Sequence, residues 1–450
     1  MLDLLIRNAQ IVTEEEILTR NVGIKDGKIE VITSKDVLAR NVIDIDNKYL
    51  LPGVIDEHVH FNDPGYTWRE DFYHGSKAAA KGGVTTVIDM PMQNKPAVIT
   101  ADIFLEKEKL LKDKSFVDYG FWGGLIHGNE TELKKMNEAG SLAFKCFMCD
   151  PGKDYTELSL EEISQRIEFL KEFDGLAGFH CEDYKIIKEN EINAIEKGTV
   201  SGEDYLNARP VEAELKAVKD IIKILQKTKG KAHICHVSHP KVAQCIKEAK
   251  KKGINITAET CVHYLLFTGD DLINRGAIFK CSPPLRSRKD ADDLWDYIVD
   301  GTLDCICSDH SPCQISEKDV ANVKGFFGVW GGLSGVQTSL QTFWDYTVNK
   351  KRYSPVLIAK VMAQNPAKIF GIYGKKGAVK EGFDADFAVV DDKKSWKIVA
   401  DELEYKNKFS AFCGLTGMGL PVMTIVRGNV VYDEKSFSDK CLGQFIKKLK

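Results

Sequence analysis

Two histidines separated by a single residue, His58 and His60, end a short apolar run near the beginning of the chain. On a β-strand, side chains two positions apart lie on the same face, so both imidazoles project together. Neutral imidazole is a common ligand of divalent metal ions, and two of them supply half of a tetrahedral site. A hydrogen-bonded pair of core histidines is the alternative explanation. The pattern favours a metal site over that alternative.

Three further apolar runs end in residues that could bind metal ions. His180 ends one run, His236 ends or follows another, and Asp309 follows a third. His233 lies three positions before His236 and cannot share its face of a strand, so packing is the better interpretation for His233. Asp309 and His310 are adjacent and point in opposite directions, so at most one of them faces the interior. Four histidines and an aspartate at four strand ends favour a metal centre.

Two polar residues lie at the end of the seventh apolar run. Glu259 is its last residue, and His263 follows four positions later. Metal-binding histidines usually donate their second ring N–H to a carboxylate or a carbonyl group. Both residues are therefore candidates for such hydrogen bonds, with ordinary packing as the alternative.

Lys145 is a charged residue inside an apolar run, Ser141–Met148, that has the composition of a buried strand. A buried ammonium is costly unless it is paired or loses its proton. One interpretation is a lysine that reaches solvent or pairs with a carboxylate. The other is a modified, anionic lysine that bridges two cations. The spacing leaves both interpretations open.

These residues belong to a segment, from about residue 52 to 375, in which short apolar runs alternate with amphipathic stretches. Eight such repeats are typical of an α/β fold, the (β/α)₈ TIM-type barrel, whose strands carry the active site at their carboxyl ends. A doubly wound open sheet is the competing architecture, but no G-x-G-x-x-G motif follows an early run. The eight predicted strands are Val54–His60, Val84–Met90, Val117–Gly124, Leu142–Met148, Leu176–Cys181, Ala232–Val237, Ile254–Glu259 and Leu303–Ser308.

Both ends of the chain have a different pattern, in which apolar and polar residues alternate over short segments. Asp26-Gly27, between two such segments, is a strong hairpin signal because its tight turn needs positive φ. We expect both ends to form small antiparallel sheet and to join in one module.

The composition excludes several classes of protein. The 450 residues include 62 basic and 66 acidic residues, mixed along the chain, and the net charge of −4 provides no basic surface for nucleic acid. No apolar run reaches the roughly 20 residues of a membrane span, and no secretory signal pattern is recognisable. Twelve cysteines, most of them in apolar runs, favour reduced thiols. The sequence therefore predicts a cytoplasmic globular protein without nucleic-acid or membrane partners.

The chain resembles the cyclic amidohydrolases, a group that includes dihydroorotases, hydantoinases and allantoinases. The residues that carry the resemblance are His58-x-His60, Lys145, His180, His236 and Asp309, in this order on a predicted barrel. The resemblance covers nearly the whole chain and implies three segments. Residues 1–51 and 376–450 would form a small β-sandwich, the latter with a terminal tail, beside a metal-dependent barrel of residues 52–375.

The resemblance also implies the cofactors, which are two divalent metal ions. Zinc is the first candidate, with iron, cobalt or manganese as alternatives that suit the same nitrogen and oxygen ligands. Carboxylated Lys145 would bridge the two ions. The remaining ligands would be His58, His60 and Asp309 for one ion, and His180 and His236 for the other.

Longer motifs are similar to those of the allantoinase branch. They are Phe121–Asn129, Phe144–Cys149, Lys280–Arg286, Cys307–Cys313 and Val329–Gly335. Dihydroorotases carry an arginine where this chain has Asn62, and hydantoinases carry a tyrosine where it has Asp150. The resemblance thus implies opening of the ring amide of allantoin to give allantoate, a step of purine and ureide catabolism. A hydantoinase or dihydropyrimidinase that acts on another cyclic ureide is the alternative.

Further roles follow from the same resemblance. Asp309 would be the general base, the protein would be a homo-oligomer, often a tetramer in this group, and the predicted substrate contacts are Asn62, Ser282 and Gly331. Two departures from the branch are Tyr66 in place of an arginine and Gln93 in place of an asparagine. Both lie in loops near the predicted mouth, so these loops are where substrate preference is expected to differ.

Overall fold

The computed structural model of the protein describes residues 1–153, 155–321 and 325–449. The first five strands are β1 (Leu2–Val12), β2 (Ile17–Lys25), β3 (Lys28–Thr33), β4 (Ala39–Asp44) and β5 (Tyr49–Pro52). The predicted hairpin is confirmed, because β2 and β3 pair antiparallel around Asp26 and Gly27. Both turn residues have positive φ, 50° for Asp26 and 77° for Gly27, as a tight primed turn requires.

The next eight strands form a parallel sheet in which each strand pairs with its successor along the chain. A parallel bridge between Val59 and His310 joins the first of these strands to the segment after the last, so the sheet closes into a barrel. All eight predicted strands are confirmed, with ends that differ by up to three residues. They are β6 (Val54–Val59), β7 (Val84–Asp89), β8 (Asp118–Gly124), β9 (Ala143–Phe147), β10 (Ala177–His180), β11 (Ala232–Ile234), β12 (Ile256–Cys261) and β13 (Cys305–Cys307).

Helices connect the barrel strands and cover their outer face. They are α1 (Phe72–Lys81), α2 (Ala101–Leu111), α3 (Glu130–Ala139), α4 (Leu160–Leu170), α5 (Tyr184–Glu196), α6 (Gly202–Ala208), α7 (Val211–Thr228), α8 (Pro240–Lys251), α9 (Val262–Leu266), α10 (Gly269–Arg275) and α11 (Arg288–Val299), followed by α12 (Ser339–Trp344), α13 (Val356–Ala359) and α14 (Asn365–Ile369). Local sequence explains their limits: Ser159 and Glu162 form a capping box at the start of α4. In α7, residues at helical spacing, among them Ala217, Ile221 and Leu225, are buried.

The C-terminal strands complete the first sheet. β14 (Phe387–Lys397), β15 (Thr416–Val426), β16 (Asn429–Asp433) and β17 (Ser436–Phe437) extend it in the order β17-β16-β15-β14-β5-β1-β2-β3, with β4 on β1. The expectation that both chain ends share one sheet is thus confirmed by the antiparallel pairing of β14 with β5. The exact domain boundaries at 51/52 and 375/376 stay a prediction.

A buried cluster of charges joins the two sheets. The Lys376 ammonium contacts three carboxylates, those of Asp118, Asp384 and Asp386. Asp118 begins β8 of the barrel, and Asp386 immediately precedes β14 of the other sheet. Arg427, which follows β15, also pairs with Asp118. This cluster therefore connects the barrel to the first sheet, called the mixed sheet because it contains parallel and antiparallel pairs. Removal of one partner would leave buried charges uncompensated.

Among the described residues, no helix is both long and apolar enough to cross a membrane.

Candidate metal centre

The barrel brings the six predicted metal-ligand residues together at the carboxyl ends of its strands. Each of the six is at most 8% exposed. They are His58 in β6 and His60 just after it, Lys145 in β9, His180 at the end of β10, His236 after β11 and Asp309 after β13. The rings of His58 and His236 lie 5.4 Å apart, which makes the six residues one site rather than two.

The environment of His58 favours a cation beside it. Its Nδ1 contacts the Glu259 carboxylate, which can only accept, so Nδ1 carries the proton of the neutral ring. Its Nε2 faces the Asp309 carboxylate at 3.3 Å. In the neutral ring, two lone pairs would then face each other, and that arrangement needs a proton or a metal ion between them. Burial alone would lower the pKa of His58, but Asp309 and Glu259 raise it to about 10, which expresses the same demand for positive charge.

His60 completes this half of the site. Its Nε2 also lies 3.3 Å from the Asp309 carboxylate. Ligand atoms of His58, His60 and Asp309 all lie within 4.8 Å of one another. Two imidazoles and one carboxylate at this separation suit a divalent ion with nitrogen and oxygen ligands. Although burial opposes it, the two histidines lower the pKa of Asp309 to about 2.

The second half of the site consists of His180 and His236. His180 Nδ1 lies 3.0 Å from His236 Nε2, while His180 Nε2 lies 2.7 Å from the Glu182 carboxylate. The carboxylate requires a proton on Nε2, which leaves the Nδ1 lone pair directed towards His236. The Arg209 guanidinium pairs with the same Glu182 and keeps it ionised, lowering its pKa despite its burial. This chain of contacts orients His180 as carboxylates orient metal-binding histidines elsewhere.

Lys145 lies close to both halves, because its charge opposes protonation of His58, His180 and His236 alike. Its Nζ is buried and has no hydrogen-bond partner among the described residues. The interpretation that Lys145 reaches solvent is wrong, because the residue is only 1% exposed, and its Nζ makes no hydrogen bond to a carboxylate of the described residues. Burial opposes an ammonium in this position, but Cys235, Glu259 and Asp309 outweigh burial and raise the pKa of Lys145. With cations bound to the neighbouring ligands, an anion at the same atom would instead face two sites that favour cations. The donor set therefore fits two divalent ions with a modified lysine between them.

Backbone strain accompanies two of the ligand candidates. His236 has a φ of 40° and Asp309 a φ of 43°, in the left-handed region that residues other than glycine adopt rarely. Such conformations cost energy and are concentrated at functional sites, where the surrounding structure enforces them. Here each residue lies two positions after the end of a strand, and each side chain lines the cavity at the barrel mouth.

The residues behind the ligand candidates have defined partners. Glu259 bridges His58 and His233, with 3.0 Å to His233 Nε2, so the hydrogen-bonding role considered for Glu259 fits its geometry. His233 also contacts Thr257 and is fully buried away from the cavity, as the spacing predicted. His310 turns away from Asp309, and its Nδ1 accepts a hydrogen bond from the Gly335 backbone. His263 is buried, and its ring nitrogens have no partner among the described residues.

A cavity of about 560 Å³ lies above the six residues. Ser282 and Gly331 line it side by side, because a Cβ added to Gly331 would lie 3.3 Å from Ser282 Oγ. Ser282 Oγ is also 2.7 Å from the Tyr205 hydroxyl. Asn62 instead is fully buried behind the ligands, where its amide donates to the His60 carbonyl. Ser282 and Gly331 are therefore placed to contact a bound molecule, whereas the prediction of a direct contact for Asn62 is wrong, because its side chain is fully buried outside the described lining of the cavity.

The two departures from the allantoinase pattern differ in position. Gln93 lines the cavity with a φ of 59°, and its Oε1 has no hydrogen-bond partner among the described residues. The Tyr66 ring packs against Trp68 at the rim, with the Arg69 guanidinium 5.2 Å from its centre. Gln93 can therefore contact a bound molecule directly, whereas Tyr66 belongs to an aromatic group around the entrance.

Several polar residues of the site were not predicted as functional. Glu182 and Arg209 orient His180, and the Lys280 ammonium lines the cavity. Glu182 stands two positions after His180, a spacing that places two side chains on the same side of an extended segment, so its contact with His180 could have been expected. Arg209 lies in the long connection between β10 and β11, and no local pattern indicates that it folds back over the mouth.

Comparison with known proteins identifies the family to which the chain belongs. Residues 49–431 match the sequence profile of the amidohydrolase family. The chain belongs to this family. The allantoinase of Salmonella choleraesuis (strain SC-B67) is 33% identical over 452 residues, which cover 99% of each protein. The L-hydantoinase (dihydropyrimidinase) of Arthrobacter aurescens is 32% identical, with a TM-score of 0.96 over 100% of both chains. The dihydropyrimidinase of Brevibacillus agri is 26% identical, with a TM-score of 0.92 over 100% of this chain and 99% of that one.

Membership of the amidohydrolase family, together with the hydantoinase fold, implies a binuclear metal centre in this chain. The triplet of His58, His60 and Asp309 is one group of described residues that could hold such an ion.

Proposed function

We propose that this amidohydrolase, a hydrolase of cyclic amides, opens the ring amide of allantoin to give allantoate. The observation that carries the proposal is the identity of 33% to curated allantoinases over 99% of both proteins. It agrees with a cavity that has ring-sized room above a site suited to two cations. The reaction would belong to purine and ureide catabolism.

Six residues would hold the metal ions. His58, His60 and Asp309 would bind one ion, and His180 and His236 the other. Lys145, after its amine has taken up carbon dioxide and lost a proton, would bridge them as a carbamate. Zinc suits this donor set, and iron, cobalt or manganese would serve as alternatives. When bound, the two ions supply an activated water molecule and polarise the ring carbonyl.

The chain's own part in the reaction is proton transfer and positioning. The Asp309 carboxylate would accept a proton as the water oxygen bonds to the ring carbonyl carbon. It would return that proton to the ring nitrogen as the carbon–nitrogen bond breaks, which leaves a carboxylate and a free ureide nitrogen. Ser282 and Gly331 would contact the ring through backbone groups, since the absence of a side chain at Gly331 permits close approach. Asn62 would position His60 rather than contact the substrate, since its buried amide donates to the His60 carbonyl.

The substrate is tested by hydrolysis of allantoin, hydantoin and dihydrouracil with purified protein supplied with metal and bicarbonate. We expect allantoin to have the highest kcat/KM, by about tenfold or more, because a site that hydrogen-bonds a polar arm discriminates against rings that lack it. Turnover of hydantoin or dihydrouracil alone would instead support the hydantoinase alternative. The observation behind that alternative is the TM-score of 0.96 to the L-hydantoinase.

We also propose that the protein is a cytoplasmic homotetramer. The twelve cysteines are unpaired, and most of them are buried, which suits a reducing compartment. Light scattering on the purified protein is expected to give about four times the mass of one chain, since tetramers are frequent in the group that the chain resembles and closed symmetric assemblies are the common case. A mass of one or two chains would refute the tetramer.

A further inference from the structure

One wall of the cavity is a loop, residues 327–332, that is held by two buried lysines. Lys280 and Lys318 are 5% and 7% exposed. No carboxylate among the described residues pairs with Lys280, and both ammonium groups instead donate to backbone carbonyls. Burial without a carboxylate is costly for an ammonium, so each lysine needs a reason to be there.

Lys318 has a complete set of partners. Its Nζ donates to three carbonyls, those of Lys280 at 3.1 Å, Trp330 at 2.9 Å and Gly332 at 2.7 Å. An ammonium has three N–H donors, so all of them are used. Lys318 is absent from the described lining of the cavity. Its contacts therefore explain it as a residue that holds the loop in place.

Lys280 differs from Lys318 in two ways: its ammonium has an unused donor, and its side chain lines the cavity. Its Nζ donates to two carbonyls, Phe327 at 3.2 Å and Val329 at 2.7 Å, which leaves one N–H without an acceptor among the described residues. It lines the cavity, and a Cβ at Gly331 would lie 3.9 Å from its Cε. Its Nζ also lies 4.6 Å from the centre of the Tyr205 ring, whose hydroxyl contacts Ser282. Lys280 thus belongs to the same wall as the two proposed ring contacts.

We propose that Lys280 is a specificity-determining residue that donates a hydrogen bond to a carbonyl oxygen on the arm of the substrate ring. The inference rests on the proposed function, because it assigns a partner to the ureido arm that distinguishes allantoin from unsubstituted rings. Lys280 takes no part in bond breaking. It selects rings with an acceptor on the arm over rings with an alkyl arm.

The test compares two ligands on one protein. Lys280→Met removes the donor and keeps most of the side-chain volume, and Lys318→Met is the same change at the lysine that does not line the cavity. We measure the affinity of each protein for both ligands. Affinity for allantoin is given by its KM, or by its inhibition constant against another ring if the parent does not open allantoin. Affinity for 5-isopropylhydantoin is given by its inhibition constant against the ring that the parent opens fastest. Burial, Arg209 and Lys318 lower the pKa of Lys280 to about 7. The assays are therefore run near pH 6, where the ammonium with its three N–H groups predominates.

We expect Lys280→Met to weaken allantoin binding about 10- to 100-fold more than isopropylhydantoin binding, the effect of losing a charge-assisted hydrogen bond. Lys318→Met is expected to weaken both ligands by similar factors, since it loosens the whole loop. Equal factors for both ligands in Lys280→Met would overturn the proposal, and this comparison stands even if Lys318→Met does not fold. Failure of the parent to open allantoin would contradict the proposed function, while the inhibition constants would still decide the role of Lys280.

Discussion

Replacement of Asp309 by alanine is expected to lower kcat for ring opening by at least 10²- to 10⁴-fold, the typical contribution of a positioned proton carrier. The reason lies in its position: its carboxylate touches both His58 and His60 and is held ionised between them. A larger loss is expected if the alanine variant also binds less metal. Initial rates and elemental analysis on the same sample separate these two contributions.

Asp309→Asn is the matched variant for this test, because it keeps the shape of the side chain and removes its basicity. Asp36→Ala is the control for handling, since the Asp36 side chain is 66% exposed in the connection between β3 and β4, strands that do not belong to the barrel. We expect Asp36→Ala to retain the parent rate. If Asp309→Ala keeps a rate within tenfold of the parent, Asp309 is not the proton carrier.

Replacement of Lys145 by methionine is expected to reduce the metal content from about two ions per chain to one or none. The rate should fall about 10³-fold or more, which corresponds to losing several kcal/mol of charge stabilisation in the transition state. The physical reason is that Lys145 is the buried group close to both halves of the site, and its Nζ has no hydrogen-bond partner among the described residues. Elemental analysis and initial rates are the measurements.

Lys145→Ala provides a sharper form of the same test. It leaves a space at the position of the proposed carbamate, which a small carboxylate such as acetate or propionate could fill with the same charge. Partial recovery of metal content and rate on adding such an acid would support an anionic bridge. Lys185→Ala, at a lysine whose side chain is 82% exposed, controls for the loss of a positive charge. Two ions per chain in Lys145→Met would rule out the bridging role.

The barrel could be predicted because periodicity is a local property of the sequence. Runs such as Val84–Met90 and Val117–Gly124 are mostly apolar and are buried along their whole length, as is typical of parallel strands covered on both faces. The strand β11 ends three residues earlier than expected, because His236 leaves the strand with a positive φ. A turn enforced by tertiary contacts leaves no clear signal in a histidine-containing segment.

The metal-site candidates could be predicted from their positions at strand ends, because the barrel brings all such ends to one mouth. The spacing also indicated that His236 rather than His233 faces the site, and that only one of Asp309 and His310 can do so. It could not predict Arg209 or the loop of residues 327–332, since both reach the mouth through long connections whose paths depend on packing. The state of Lys145 was equally open, because only its burial without a partner argues against an ordinary ammonium.

The presence of two metal ions bridged by carboxylated Lys145 is tested by the mass of the intact protein under native conditions, after purification with zinc and bicarbonate. We expect an excess over the chain mass equal to two divalent ions and one carbon dioxide per chain. In Lys145→Met the carbon dioxide should be absent, together with at least one ion. A parent chain that carries a single ion, or two ions without carbon dioxide, would contradict a binuclear centre bridged by Lys145.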